Sequence, residues 1–105
     1  MANPARGEVA LKVEGGVYVM RLTLGALAEL ESALGAGGMI AVAERFETGD
    51  FSASDLIALL TAGVRGGGSD LSNDEVAALA FEGGAGGAAR AAAELLRLNF
   101  GGGDE

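Results

Sequence analysis

The first pattern along the chain is an alternation of apolar and polar positions, which predicts a β-hairpin. Apolar residues stand at positions 9, 11 and 13 among charged ones, and the apolar segment VYVMRL follows at positions 17–22. A period of two residues is typical of a half-buried strand. Between the two runs, Glu14, Gly15 and Gly16 supply the positive-φ positions that a tight turn needs. We therefore expect two antiparallel strands joined by a short turn.

The second strand divides its side chains between two faces that are both largely apolar. Alternation places Tyr18, Met20 and Leu22 on one face, and Val17, Val19 and Arg21 on the other. We expect helices from later in the chain to cover one face. The opposite face, with Val17, Val19 and also Val9, is then a candidate for self-association or for strand addition by a partner. The alternative is that both faces are core.

A helical period follows the second strand directly. Thr23 can serve as the N-cap of this first helix, and Gly35 stands where a left-handed C-cap is expected. One stripe of the helix is apolar and is expected to hold the helix against the hairpin; its members are Leu24, Leu27, Leu30 and Leu34.

Further helices are predicted by their start signals. A short apolar helix is expected over residues 39–46. Ser52 with Asp55, and Ser72 with Glu75, have the spacing of capping boxes. We expect the helix after Ser72 to run toward Gly83, and a last helix to cover roughly residues 88–98. The glycine clusters between these helices are expected to act as hinges.

These elements predict an α+β fold in which an N-terminal antiparallel β-hairpin is followed by four to five short α-helices packed on it. We expect a flexible lead-in at residues 1–6, a single domain at 7–100 and a disordered tail at 101–105. A chain of 105 residues that includes 19 glycines has few large apolar side chains. Its core is therefore modest, and self-association or a partner would complete it.

Composition excludes several function classes. The formal net charge of −8 argues against a nucleic-acid partner, which needs a basic surface. The chain has no His and no Cys, so a zinc or iron site would need carboxylates alone, and no hydroxyl has a histidine base. A glycine motif at residues 84–89 follows a predicted helix rather than the strand that a dinucleotide loop requires. We expect no enzyme activity, metal or cofactor.

No apolar run approaches the length of a signal peptide core or a membrane span, and the absence of cysteine fits a reducing compartment. We therefore expect a cytoplasmic protein with no membrane partner.

Three segments of the pattern also carry a family resemblance: GGVYVMRLTLGALAELESALG at 15–35, MIAVAERFETGDFSASDLIALLTAGVRGGG at 39–68 and SNDEVAALAFEGG at 72–84. The chain resembles, over about residues 7–100, the small tail proteins of alphaproteobacterial gene transfer agents, which are phage-like particles that package host DNA. The most specific part is RLTLGALAELE at 21–31, which is similar to the strand-to-helix signature of the family. That family is labelled a tail-tube protein and is grouped with phage tail assembly chaperones.

The resemblance implies a non-enzymatic role in building a tail, with other tail proteins as partners. A chaperone would bind the tape measure protein before tube subunits polymerise around it. A structural tail-tube component would instead remain in the particle. The chaperone is the preferred hypothesis, because the sequence supplies only two convincing strands. A phage-independent acidic adaptor is the third, and a homo-oligomer is an open alternative. The candidate partner-binding residues are Val17, Tyr18, Val19 and Arg21 of the hairpin, and Leu95, Leu98 and Phe100 of the last helix.

Overall fold

A hairpin and five α-helices follow one another in the computed structural model, which describes residues 2–35 and 37–100. Within these residues, a 3₁₀ turn at Pro4–Arg6 precedes strands β1 (Val9–Val13) and β2 (Gly16–Met20), and the helices are α1 (Leu24–Leu34), α2 (Met39–Glu47), α3 (Ala53–Gly66), α4 (Asn73–Ala77) and α5 (Gly84–Phe100). This order confirms the predicted α+β class. The expected tail at residues 101–105 lies outside the described residues, and the flexible lead-in and the single domain stay predictions.

The register of the hairpin follows from its two-residue turn. Gly15 takes a φ of 88° in this turn, which an L side chain adopts only with strain. Val9 then pairs with Met20, and Leu11 pairs with Tyr18. These four residues share the inner face, where Leu11 is 1% and Met20 0% exposed. Val9 is also buried there, so its placement on the opposite face was wrong.

Backbone from residues 80–82 closes part of the β1 edge. The Glu82 N–H donates to the Lys12 carbonyl at 3.0 Å, and the Glu14 N–H donates to the Ala80 carbonyl at 2.8 Å. Phe81 accordingly forms an antiparallel bridge with Val13 of β1. This bridge also explains why α4 is shorter than expected. The residues that follow Ala77 pack against β1 and therefore do not continue the helix.

The C-terminal end of α3 closes part of the β2 edge. The Arg21 N–H donates to the Gly63 carbonyl at 2.9 Å. A Cβ atom added at Gly67 would overlap the Val19 carbonyl oxygen, and one added at Gly66 would overlap that of Arg21. The helix backbone can approach the strand this closely only because these positions carry no side chain. The glycines expected to act as a hinge therefore form a packing surface.

The core lies between the inner face of the hairpin and the helices. Its largest fully buried side chains are Leu11, Met20, Leu30, Leu59, Leu60 and Leu95. Gly63 of α3 lies between two of them, since a Cβ atom there would lie 3.2 Å from Met20 Cβ and 2.9 Å from Leu95 Cδ2. The helix α3 therefore occupies the centre of the fold, with β2 on one side and α5 on another.

The predicted caps of α1 are confirmed, and so is its apolar stripe at Leu27, Leu30 and Leu34, but not at Leu24. The Thr23 hydroxyl accepts from the Ala26 N–H, and Gly35 takes a left-handed φ of 63°. The buried side chains of α1 are Ala26, Leu30 and Leu34, while Leu24 is 79% exposed. At about 100° per residue, the centre of the stripe formed by these three buried residues lies roughly 120° around the helix from Leu24. Leu24 therefore does not hold α1 to the hairpin.

Helices α3 and α4 begin at the predicted capping boxes. The side chains of Ser52 and Ser72 accept from the backbone three residues on, and the carboxylates of Asp55 and Glu75 accept from the N-cap backbone in return. The last helix begins earlier than expected, at Gly84.

Arg45 fixes α2 between two neighbouring helices. Its guanidinium donates to the Leu34 carbonyl at the end of α1, at 3.2 Å. The same group lies 3.7 Å from the Asp55 carboxylate at the start of α3. Beside it, the rings of Phe46 and Phe51 stack with centroids 4.7 Å apart.

Asn99 joins the end of α5 to the chain just before β1. Its side-chain amide donates to the Gly7 carbonyl at 3.3 Å and to the Leu95 carbonyl at 2.8 Å. Helix α5 thus packs along β1 and contributes Leu95 to the core beneath the strand.

Candidate functional site

One face of the hairpin is only partly covered by the helices. We call it the outer face and define it by Ala10, Lys12, Val17, Val19 and Arg21. The register places Lys12 directly opposite Val17 and Ala10 opposite Val19. Val17 is 59% exposed, Lys12 is exposed, and Ala10 and Val19 are half-buried. Arg21 extends the face beyond β2, because it lies between two residues that are buried on the inner side, Met20 and Leu22.

The structure brings together only some of the residues expected to bind a partner. Val17, Val19 and Arg21 lie on the outer face, whereas Tyr18 lies on the inner face, half-buried opposite Leu11. The other candidates belong to α5. Leu95 is 0% exposed and is part of the core, Leu98 is half-buried, and the side chain of Phe100 lies outside the described part of the structure.

The charge of the outer face differs from that of the molecule. The chain carries a net charge of −8, whereas on this side of the hairpin the cations Lys12 and Arg21 are accompanied by two acids. Continuing the register places Glu8 opposite Arg21, and alternation along β1 places Glu14 on the same side as Lys12. The ion pairs within residues 2–35 and 37–100 use Arg6, Arg45, Arg65 and Arg97. Neither Lys12 nor Arg21 takes part in an ion pair within those ranges. The outer face thus has an apolar centre with charges of both signs around it.

Lys12 and Ala10 were not named as candidates from the sequence. The signal was present in the turn, because a two-residue connection between Val13 and Gly16 fixes which residues of β1 lie opposite Val17 and Val19. The register of the hairpin assigns Lys12 to the same face as the two valines. Alternation along β1 alone does not show which face of β2 lies beside Lys12.

Two surface clefts are formed by described residues. One cleft of ≈ 160 Å³ lies between β1 and α5 beside Lys12, Glu82 and Arg90. A wider cleft of ≈ 550 Å³ lies beside Arg45 and Asp55, which already bind each other. The described residues contain no cluster of three or more acidic side chains able to hold a metal ion. No helix among them has the length and apolar character needed to cross a membrane.

Comparison with known proteins assigns the chain to a family. Neither the curated proteins nor the solved structures include a significant match to it. The sequence profile of one family matches residues 6–102, which is nearly the whole chain and includes the hairpin with its outer face and all five described helices. The chain therefore belongs to the family described as phage tail tube protein, GTA-gp10.

Proposed function

We propose that this protein is a tail assembly chaperone that binds the tape measure protein while the tail of a gene transfer agent is built. Membership of the family gives it a tail-related role. The finer assignment rests on the size of its sheet, since the described residues form a two-stranded sheet with one further bridge. In this role the protein acts without catalysis, in the cytoplasm, and before the tube polymerises.

The partly closed edges of the hairpin favour the chaperone over a tube subunit. A ring of subunits around a lumen is most readily built from broad sheets that continue from one subunit to the next. Here the Lys12 carbonyl and the Arg21 N–H are already bonded within the chain. These bonds reduce the free edge through which neighbouring sheets could join.

The alternative, a structural tail-tube component, is favoured by the description of the family itself. Quantitative mass spectrometry of purified particles separates the two roles. We expect the protein to be absent or far below the abundance of the main tube subunit. A constant stoichiometric presence in mature particles would establish the tube role instead.

Co-expression with the tape measure protein tests the chaperone role directly. We expect the two proteins to co-elute in size-exclusion chromatography, and the tape measure protein to stay in the supernatant only when the chaperone is present. A tape measure protein that precipitates equally with and without this partner would refute the proposal.

The outer face is the surface that we propose for this contact. Val17→Asp combined with Val19→Asp adds two charges to it and is expected to abolish co-elution while leaving the far-UV circular dichroism unchanged. Ala28→Asp with Ser32→Asp adds the same charge to exposed positions of α1 and serves as the matched control. Loss of the folded signal in the valine variant would show that this face is needed as core.

A further inference from the structure

We propose that the outward side of α2 binds a basic amphipathic α-helix of another protein. We call this side the α2 stripe and define it by Ile40, Glu44 and Glu47. Helix α2 packs against α1 and α5, whereas the hairpin packs against α3 and α5. The α2 stripe and the outer face therefore belong to different parts of the molecule, and the inference does not rest on the proposed function.

The three residues of the α2 stripe lie together on the exposed side of the helix. Positions 40, 44 and 47 have the i, i+4, i+7 spacing that places side chains on one side of an α-helix. Ile40 is 77% exposed, and both glutamates are exposed. The side that faces the core carries Val42 and Phe46. At about 100° per residue, the centre of the α2 stripe lies roughly 150° around the helix from the centre of this buried pair.

The two acids of the α2 stripe do not stabilise the helix that carries them. Helix α2 ends at Glu47, and carboxylates in the last turn of a helix lie beside the negative end of its dipole, where they lower its stability. Glu44 and Glu47 are also like charges three positions apart, which repel. Ile40 is exposed although isoleucine forms helices less readily than alanine. Helix formation alone therefore accounts for none of the three residues.

The acids of the α2 stripe are not balanced by cations of the described chain. Within residues 2–35 and 37–100, the acids that form ion pairs are Glu8, Glu29, Asp55 and Glu94. Glu44 and Glu47 are not among them. Asp50, three positions after Glu47, is exposed and forms no ion pair in those ranges either. The C-terminal end of α2 is thus a locally negative surface.

The cations on α2 and on the two helices beside it are directed to other contacts. Arg45 lies roughly 100° around α2 from Glu44 and ties the helix to α1 and α3. Helix α1 contains no cation. On α5, Arg97 forms an ion pair within its own helix, and Arg90 lines the cleft between α5 and β1. A cation for the α2 stripe must therefore come from a partner.

The occupant that fits the α2 stripe is a helix with cations near its N-terminal end. The backbone groups of α2 are bonded within the helix, so a partner contacts its side chains rather than a free edge. A helix that lies antiparallel to α2 brings its positive N-terminal end beside the two carboxylates. Cations at its positions i and i+3 then lie opposite Glu47 and Glu44, and an apolar residue at i+7 lies opposite Ile40. This contact extends over about 10 Å of α2.

A second copy of this chain does not supply such a helix. None of the described helices has two cations three or four positions apart. Among them, only α5 has two, Arg90 and Arg97, which are seven positions apart with Glu94 between them. Two copies would also bring together net charges of −8 each, which repel, whereas the same charge attracts a basic segment. The α2 stripe therefore fits a helix from a different protein.

A synthetic helical peptide tests this inference without any tail protein. The probe carries two Lys residues three positions apart and a Leu four positions after the second Lys. Its matched control has both Lys residues replaced by Glu. By calorimetric titration in low salt, we expect the Lys peptide to bind the wild-type protein at least about tenfold more tightly than the Glu peptide. Equal affinities, or no binding of the Lys peptide, would overturn the inference.

Charge reversal distinguishes the α2 stripe from the acidity of the whole chain. Glu44→Lys with Glu47→Lys is expected to weaken binding of the Lys peptide at least about tenfold. Asp70→Lys with Asp74→Lys makes the same change of net charge at exposed positions beside α4 and is expected to change the affinity less than about threefold. Equal losses in the two variants, with circular dichroism showing folded proteins, would mean that the peptide responds to net charge alone and would contradict the proposed site.

The apolar part of the contact is tested by Ile40→Ala, which is expected to weaken binding of the Lys peptide at least about threefold. Leu24→Ala removes another largely exposed side chain and should leave the affinity unchanged. An unchanged affinity of Ile40→Ala would refute the packing of a helix on the α2 stripe. A dimer of the wild-type protein in sedimentation that the Glu44 and Glu47 variant loses would assign the α2 stripe to a second copy and overturn the inference.

Urea unfolding tests independently whether the two acids stabilise the fold. Glu44→Gln with Glu47→Gln is expected to raise the urea midpoint, because it removes two charges from the negative end of the helix dipole. A lower midpoint would show that the acids are needed for folding and would remove the basis of the inference. If the Lys peptide is selected but the tape measure protein does not co-elute, the α2 stripe stands and the chaperone role fails.

Discussion

Replacing Gly66 by alanine will separate α3 from β2 and destabilise the protein. A Cβ atom at this position would overlap the Arg21 carbonyl oxygen and lie 3.0 Å from the carbonyl carbon of the same residue. The obstacle is backbone rather than the end of a flexible side chain, so the helix or the strand has to move. That movement also strains the 2.9 Å hydrogen bond from the Arg21 N–H to Gly63.

Three effects set the size of the change. Overpacking of a close contact costs about 1–3 kcal/mol. Weakening the hydrogen bond adds up to about 1 kcal/mol. Alanine in place of glycine at the end of a helix returns at most about 1 kcal/mol of backbone propensity. The net loss is therefore about 1–3 kcal/mol, against a total stability of roughly 5–15 kcal/mol for a chain of this size.

Urea unfolding followed by circular dichroism at 222 nm measures this loss. Gly86→Ala is the matched control, because Gly86 also belongs to a helix but nothing lies within 4 Å of its Cβ position. We expect Gly86→Ala to be neutral or to stabilise the protein by up to about 1 kcal/mol. If Gly66→Ala were as stable as Gly86→Ala, the close packing of α3 against β2 would be refuted.

The same unfolding assay checks three further predictions. Arg45→Ala should destabilise the protein by about 1–2 kcal/mol, because it removes contacts to two neighbouring helices at once. The control Arg97→Ala breaks an exposed ion pair within one helix and should change the stability little. Equal losses of stability in the two variants would contradict the proposed role of Arg45. Ser72→Ala removes a capping box and should lower the free energy of unfolding by about 1 kcal/mol. The control Ser54→Ala, at an exposed position, should leave it unchanged. An unchanged stability of Ser72→Ala would refute the contribution of the cap. Leu24→Ala should cost less than about 0.5 kcal/mol, since Leu24 is 79% exposed; a loss of 2 kcal/mol or more would place it in the core.

The features that the sequence predicted correctly are local ones. The hairpin depends on alternation and on a turn of a few residues. The caps at Thr23, Ser52 and Ser72 depend on side chains that accept hydrogen bonds from backbone N–H groups three residues further along the chain. Each of these needs only a short stretch of chain. The outer face was partly predictable for the same reason, since Val17 and Val19 alternate within one strand.

The features that the sequence did not predict depend on contacts between distant segments. Nothing near Phe81 indicates that it will meet β1, and this contact ends α4. No residue near Gly66 in the sequence indicates that the lack of a side chain there allows close packing against β2, which lies far upstream in the chain. A glycine cluster has the same local pattern whether it bends the chain or packs against it, and only the tertiary fold distinguishes the two. Leu95 is a related case, because the amphipathic pattern of α5 does not say which neighbour covers it.

The contact of α5 with the hairpin has a consequence for synthesis. Met20 and Asn99 are about 80 residues apart in the chain, so at 5–20 residues per second the hairpin leaves the ribosome roughly 4–16 s before the helix that covers it. During that interval the apolar inner face, including Leu11 and Met20, has no α5 to pack against. A protein expected to protect another tail protein from aggregation thus passes through a stage in which its own first strands are unprotected.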